Sequence, residues 1–196
     1  MVYLKHMRKN LFEKIDSSRA LELLKEGNKR YVDGKTAREP STLSQERVEL
    51  AQKGQFPFAV VFGCSDSRVP PEIIFDVGIG QIFVVRTGGN TADTIAVGSV
   101  ECAVELFHAR LIVVLAHTDC GAVNVAISGA DFGPNMGAIL NEIKPFIKSS
   151  DCLRENAENT AAKLAKSAIL AKRIDEGVLK IVCAKYDLET GIVTYY

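Results

Sequence analysis

No stretch of this chain is apolar for long enough to cross a bilayer. The hydrophobic runs are of strand length, against the ~20 residues that a spanning helix requires, so no membrane partner is expected. Charge of one sign is lacking too. The 24 Lys and Arg residues are balanced by 24 Asp and Glu, which leaves no global field to recruit nucleic acid or an anionic surface. Repeats and low-complexity segments are missing. The N-terminus carries Lys5, Arg8 and Lys9 without a following apolar core, and a secretory leader is therefore not expected. Cysteine is sparse, odd in number and scattered, with five residues in all. That pattern argues against a disulfide framework and for reduced thiols in the cytoplasm. What remains is a composition ordinary for a soluble globular chain, 47% hydrophobic, over 196 residues, enough for one domain with a full core.

Two segments organise that domain. Ala59-Val60-Val61-Phe62 runs into Gly63-Cys64-Ser65-Asp66-Ser67-Arg68, and Leu111-Ile112-Val113-Val114-Leu115 runs into Ala116-His117-Thr118-Asp119-Cys120-Gly121. Continuous apolar runs of this kind read as strands buried on both faces of a parallel sheet. Around them the pattern predicts a helix over 17–33 capped by Ser17 or Ser18, and a second from Thr42, where Thr42 and Gln45 resemble a capping box. A strand over 58–63 and a turn at 72–75 follow, then a strand over 81–86. Next come a helix capped by Thr91, a strand ending at His117 and a helix beginning near Cys120. Helices over 136–148 and 155–176 precede a strand at 180–186 and a short one at 191–196. Alternation of strands and helices predicts an α/β fold: a mainly parallel sheet of four strands plus a short antiparallel edge strand, flanked by helices. Residues 1–196 form one domain. Its first 54 residues precede every strand and read as a helical arm on the outside or on a partner subunit.

The carboxyl ends of neighbouring strands form the crevice where open α/β sheets bind ligands. Cys64, His117 and Cys120 deliver two thiols and an imidazole there, the three soft donors that a catalytic zinc takes when a fourth position stays open. A single cysteine at a strand end is usually packing; it is the combination that points to metal. Asp66, two residues from Cys64, can ligate such a metal or hydrogen-bond to its water, and Arg68 can pin that carboxylate by a forked pair. A structural loop salt bridge is the alternative for these two. With both thiolates counted the site is neutral, a weaker Lewis acid than three imidazoles, yet able to lower the pKa of bound water.

Cys64-Ser65-Asp66-Ser67-Arg68 together with His117-Thr118-Asp119-Cys120-Gly121 resembles the β-class carbonic anhydrases, with their C-x-D-S-R and H-x-x-C-G motifs. The likeness continues through Pro70-Pro71-Glu72, Phe83-Val84-Val85-Arg86, Asn90 and the closing 184–191, and so covers most of 20–196. It implies Zn²⁺ held by Cys64, His117 and Cys120, and reversible hydration of CO₂ to bicarbonate through a zinc-bound hydroxide. In that picture Asp66 orients the hydroxide, Arg68 holds Asp66 off the metal, and Asp66 becomes a conditional fourth ligand in a closed state. It also implies a homodimer or larger homo-oligomer with the site at an interface, and a substrate pocket involving Gln55, Phe83 and Gly121.

The chain departs from the family where many members carry an aromatic, having Glu101-Cys102-Ala103. It has no Trp, which removes the tryptophan around which some bacterial members build a bicarbonate-inhibition site. Cys102, Cys152 and Cys183 match no ligand motif, and neither His6 nor His108 reads as a proton shuttle. Hydrolysis of CS₂ or COS on the same metal site, and metal binding without turnover, are the competing functions. Gly78, Gly80, Gly88 and Gly89 lack the spacing of a dinucleotide loop.

Overall fold

The computed structural model describes residues 15–37 and 43–196. Within them helix α1 is Ser17–Val32 and α2 is Leu43–Lys53; β1 (Ala59–Cys64), α3 (Pro71–Ile74), β2 (Ile82–Thr87) and α4 (Thr94–Phe107) follow. After them come β3 (Leu111–His117), α5 (Gly121–Ser128), α6 (Pro134–Ile143), α7 (Cys152–Ala165), α8 (Ala168–Asp175), β4 (Lys180–Tyr186) and β5 (Val193–Tyr195). The strands form one sheet in the order β2-β1-β3-β4-β5, parallel except for β5, which runs antiparallel to β4. This is the expected α/β architecture.

Every residue of β1 and β3 is buried, as central strands covered on both faces should be. Alternate side chains feed two cores. Ala59, Val61, Leu111, Val113 and Leu115 meet α1, α3, α5 and α6 through Ala20, Leu24, Ile74, Val123 and Ile143. Val60, Phe62, Ile112 and Val114 meet α4, α7 and α8 through Val100, Ala103, Leu164 and Leu170. Each such fully buried branched or aromatic side chain contributes roughly 2 kcal/mol. The strand order sends the chain from β1 sideways to β2, and from β3 the other way to β4. The connections leaving the carboxyl ends of β1 and β3 therefore diverge, and a cleft opens between them.

Several boundaries differ from the sequence reading. The cap of α1 is Asp16, whose carboxylate accepts from the Arg19 amide at 2.8 Å. The cap of α4 is Asp93, accepting from the Ala96 amide at 2.7 Å, while the Thr91 hydroxyl bonds to the Gly88 carbonyl. In both helices the cap goes to the residue immediately before the first helical one, whose side chain the backbone path places against the free amide three residues on. The helix expected over 155–176 is two helices, divided where Ser167 caps α8. The one expected over 136–148 stops at Ile143 and tightens into a 3₁₀ turn over 144–146, because Pro145 has no amide to continue the ladder. The capping box proposed at Thr42 and Gln45 lies outside the described side chains.

Within the chain, α1 packs on the outer side of one core, against the face of the sheet. Ala20 and Leu24 are fully buried, and the buried Asn28 amide donates to the carbonyls of Ile74 and Gly191 while its oxygen accepts from the Val193 amide. Arg30 reaches the buried Asp76 carboxylate at 2.5 Å. The exposed helix of this region is α2, with Val48 45% exposed.

Two helical glycines give a contrast in sign. A Cβ on Gly27 would lie 1.8 Å from the Phe75 carbonyl oxygen, whereas one on Gly137 would meet nothing within 4 Å. Gly27→Ala should destabilise the fold by about 2 kcal/mol or more despite the better helix former. Gly137→Ala should stabilise it by about 0.5–1 kcal/mol. Urea unfolding of both checks this; the same sign for the two variants would refute the close-packing account.

Candidate metal centre

Cys64 ends β1 and His117 ends β3, at the cleft between them. Beyond His117, Asp119 adopts φ 52°, a left-handed conformation that the short Asp side chain tolerates. It turns the chain so that Cys120 comes back beside His117 at the cap position of α5. Thr118 fastens this turn to the end of β4: its amide donates to the Tyr186 carbonyl at 3.0 Å, and its hydroxyl accepts from the Leu188 amide at 2.9 Å.

The result is three donor atoms within 4.8 Å of one another, all on buried residues. The two sulfurs are 3.9 Å apart, close to the ~3.8 Å edge of a tetrahedron with metal–sulfur bonds of ~2.3 Å. His117 Nδ1 lies 2.8 Å from the Thr118 carbonyl. A carbonyl only accepts, so the proton resides on Nδ1, and Nε2 presents its lone pair to the sulfurs. That Nε2 is buried without a hydrogen-bond partner, a cost that a metal would relieve. The donor set and spacing fit a tetrahedral ion with one position left over.

Electrostatics agree. The Cys64 thiol is drawn well below the ordinary thiol range by the Cys120 thiol that donates to it, helped by the neighbouring His117 ring and then by the amides of Asp66 and Gly89. Cys120 is pushed far above the ordinary thiol range, because it is that donor and because it is buried. The pair thus keeps one thiolate and one proton, and a cation that binds both sulfurs must displace the proton.

Asp66 lies outside this group of three. Its Oδ1 accepts from the Arg68 amide at 2.9 Å and from Nε at 3.0 Å, and its Oδ2 accepts from Nη2 at 2.8 Å. Arg68 also reaches Asp119, through Nη1 to the carboxylate at 3.1 Å and through Nη2 to the carbonyl at 3.0 Å. One guanidinium therefore ties the Cys64 loop to the Cys120 loop, and Asn124 holds the other oxygen of Asp119 at 2.8 Å.

Arg86, which the sequence reading did not name as a site residue, donates from Nε to the Cys64 carbonyl at 2.8 Å and from Nη2 to the Asp66 carbonyl. The available signal was an arginine near the carboxyl end of a buried strand pattern, where a charge needs a partner.

Gln55 and Phe83 do not join the three donors in their own chain. Gln55 precedes β1, at the opposite end of the strand from Cys64. Phe83 pairs with Val60, whereas Cys64 pairs with Thr87; four residues separate the two levels, about 13 Å. Its ring stacks on Phe107 with centroids 6.0 Å apart, on the α4 side. Gly121 is the exposed first residue of α5, and a Cβ there would meet nothing within 4 Å. Cys102 is exposed, Cys152 half-buried and Cys183 buried, and none of them belongs to the group of three; His6 lies outside the described residues.

The family model for carbonic anhydrase matches residues 59–193. This chain belongs to the carbonic anhydrase family. It is 40% identical over 186 residues to carbonic anhydrase 2 of Mycobacterium tuberculosis, across 88% of this chain and 89% of that one. It is 38% identical over 188 residues to the carbonic anhydrase of Mycolicibacterium smegmatis, across 89% and 90%. Its fold is that of the β class. A tetrameric β-carbonic anhydrase of Sordaria macrospora superposes with TM-score 0.68 at 22% identity, over 79% of this chain and 92% of that one. The β-carbonic anhydrase CafA of Aspergillus fumigatus gives 0.69 at 24%, over 80% and 84%.

The Arg68 fork holds the Asp66 carboxyl well below the ordinary carboxylate range. A depressed native value stabilises the fold above the unfolded pKa of about 3.9 and loses that effect as pH falls through the native one. The pair is thus fully charged at neutral pH. Carboxyl ¹³C titration of Arg68→Met should move Asp66 up toward about 3.9; an unmoved midpoint would remove Arg68 as the cause.

Proposed function

We propose that this carbonic anhydrase is a zinc enzyme that hydrates CO₂ reversibly to bicarbonate and a proton. The observation that carries the reading is the buried group Cys64, His117 and Cys120 with its donor atoms within 4.8 Å, beside the Asp66–Arg68 pair. Two thiolates and one imidazole favour zinc over harder cations. When bound, zinc supplies the Lewis acidity that makes water a nucleophile near neutral pH.

The chain's own residues do the rest. His117 Nδ1–H stays on the Thr118 carbonyl, which fixes the ring and excludes it as a proton shuttle. Arg68 keeps Asp66 ionised and turned, so that a carboxylate oxygen with a spare lone pair accepts a hydrogen bond from the attacking water and orients it. The same carboxylate is the candidate fourth ligand of a closed state, and reaching that state requires it to leave Arg68.

Gln55 and Phe83 are too far from their own chain's donors to line its pocket, so their substrate role is assigned to the site of a second copy, with Gly121 at the mouth. That assignment favours a homodimer or larger homo-oligomer, and the Sordaria macrospora relative is tetrameric. The exposed α2 is a further candidate for the partner contact. Five free thiols support a reducing, cytoplasmic setting, and among the described residues no helix is long and apolar enough to cross a membrane.

Stopped-flow CO₂ hydration with a pH indicator, and metal analysis on the same sample, test the reading. Fast turnover with about one zinc per chain is expected. Stoichiometric zinc with turnover of CS₂ or COS alone, or with none, would overturn it. Asp66→Ala should retain zinc and lose about a hundredfold or more in hydration; normal turnover would remove the role given to Asp66. Cys120→Ser should lose most bound metal, and full occupancy there would sink the ligand assignment.

A further inference from the structure

Two of the most deeply buried polar side chains lie on α7, in the helical layer that packs on the other face of the sheet from α5. Asn156 and Thr160 are each 1% exposed and sit one helical turn apart on one face. Both spend their donors on the same three-residue turn, Gly88–Asn90: Asn156 Nδ2 donates to the Gly89 carbonyl at 2.8 Å, and Thr160 Oγ1 to the Asn90 carbonyl at 2.8 Å. This turn holds two successive left-handed residues, Gly89 at φ 59° and Asn90 at φ 49°. Such a conformation persists where its surroundings over-determine it.

The position of the turn gives these bonds their consequence. It follows Thr87, which is in register with Cys64 and whose carbonyl accepts from the Ser65 amide at 2.9 Å. On its other side, a Cβ at Gly89 would stand 3.1 Å from that of Ala122, two residues beyond Cys120. The turn is thus wedged between the two cysteine-bearing segments. Buried polar groups in a core helix normally serve either a local cap or a distant backbone; here both serve this wedge.

We propose that Asn156 and Thr160 are positioning residues of the metal centre: from α7 they clamp the Gly88–Asn90 turn and thereby set the separation of Cys64 from Cys120. The proposal rests on the metal-binding reading above and goes beyond it by naming residues that touch none of the three donors. Groups that orient metal ligands from behind characteristically alter metal affinity or activity by about ten- to a hundredfold.

The test uses the full chain loaded with Co²⁺ alone, with the thiolate-to-cobalt absorption bands and the rate of cobalt loss to EDTA as readouts. Thermal unfolding of the same samples is recorded alongside. Thr160→Val keeps the shape and removes the donor, Thr160→Ser restores it, and Asn156→Leu removes the other. Thr160→Val and Asn156→Leu should shift the bands and release cobalt about tenfold faster, and Thr160→Ser should match the parent in both. If Asn156→Leu does not fold, the Thr160 pair decides alone. Parental bands and release rates in Thr160→Val, with only a lower Tm, would overturn the clamp while leaving the metal reading intact. Failure of the parent chain itself to take up cobalt would overturn both.

Discussion

Everything at this centre depends on bringing two buried sulfurs and a buried imidazole nitrogen into one small space. Each is costly to bury alone, since a thiolate or an unpaired ring nitrogen loses its hydration. Placed with the sulfurs 3.9 Å apart, they compensate one another only in part, by sharing one proton. The remaining cost, including the orphaned His117 Nε2, is what a cation offsets. The site is therefore pre-organised at the expense of local stability, and the surrounding cores of branched and aromatic side chains carry that expense.

The restraints around the centre are arranged in layers. His117 is oriented by its own neighbour's carbonyl. Arg68 and Arg86 then fix the loop after β1 from two sides, one through side-chain carboxylates and one through backbone carbonyls. Behind these lies the left-handed turn after β2, held from α7. Arginine suits such bridging because its planar fork satisfies several acceptors at once while remaining charged. A lysine at either position would lack that fixed fork.

Much of the fold was legible in the residues. β1 and β3 are unbroken apolar runs because both of their faces are covered, and the turn from β4 to β5 is short because the pairing is antiparallel. The group of three and the Asp66–Arg68 pair follow from close spacing at two strand ends, where local geometry leaves few alternatives. Caps were less legible. Asp16 next to Ser17, and Asp93 two residues after Thr91, offer competing acceptors within one turn, and only the final backbone path selects between them. The division at Ser167 was hidden for the same reason, because the apolar spacing of α7 and α8 continues across it.

By itself the sequence determined which atoms would reach the carboxyl ends of the central strands, because residue type and position along a fully buried strand decide both burial and direction. Only the tertiary structure decided what stands around them. Arg86 comes from the neighbouring strand and Asn156 and Thr160 from a helix on the opposite layer, whereas Gln55 and Phe83 turn out to lie beyond reach of their own chain's donors. The reason is physical: strand direction is a local property of backbone stereochemistry, but which side chains face one another across the sheet depends on strand order and register. Those are set by the packing of the whole domain.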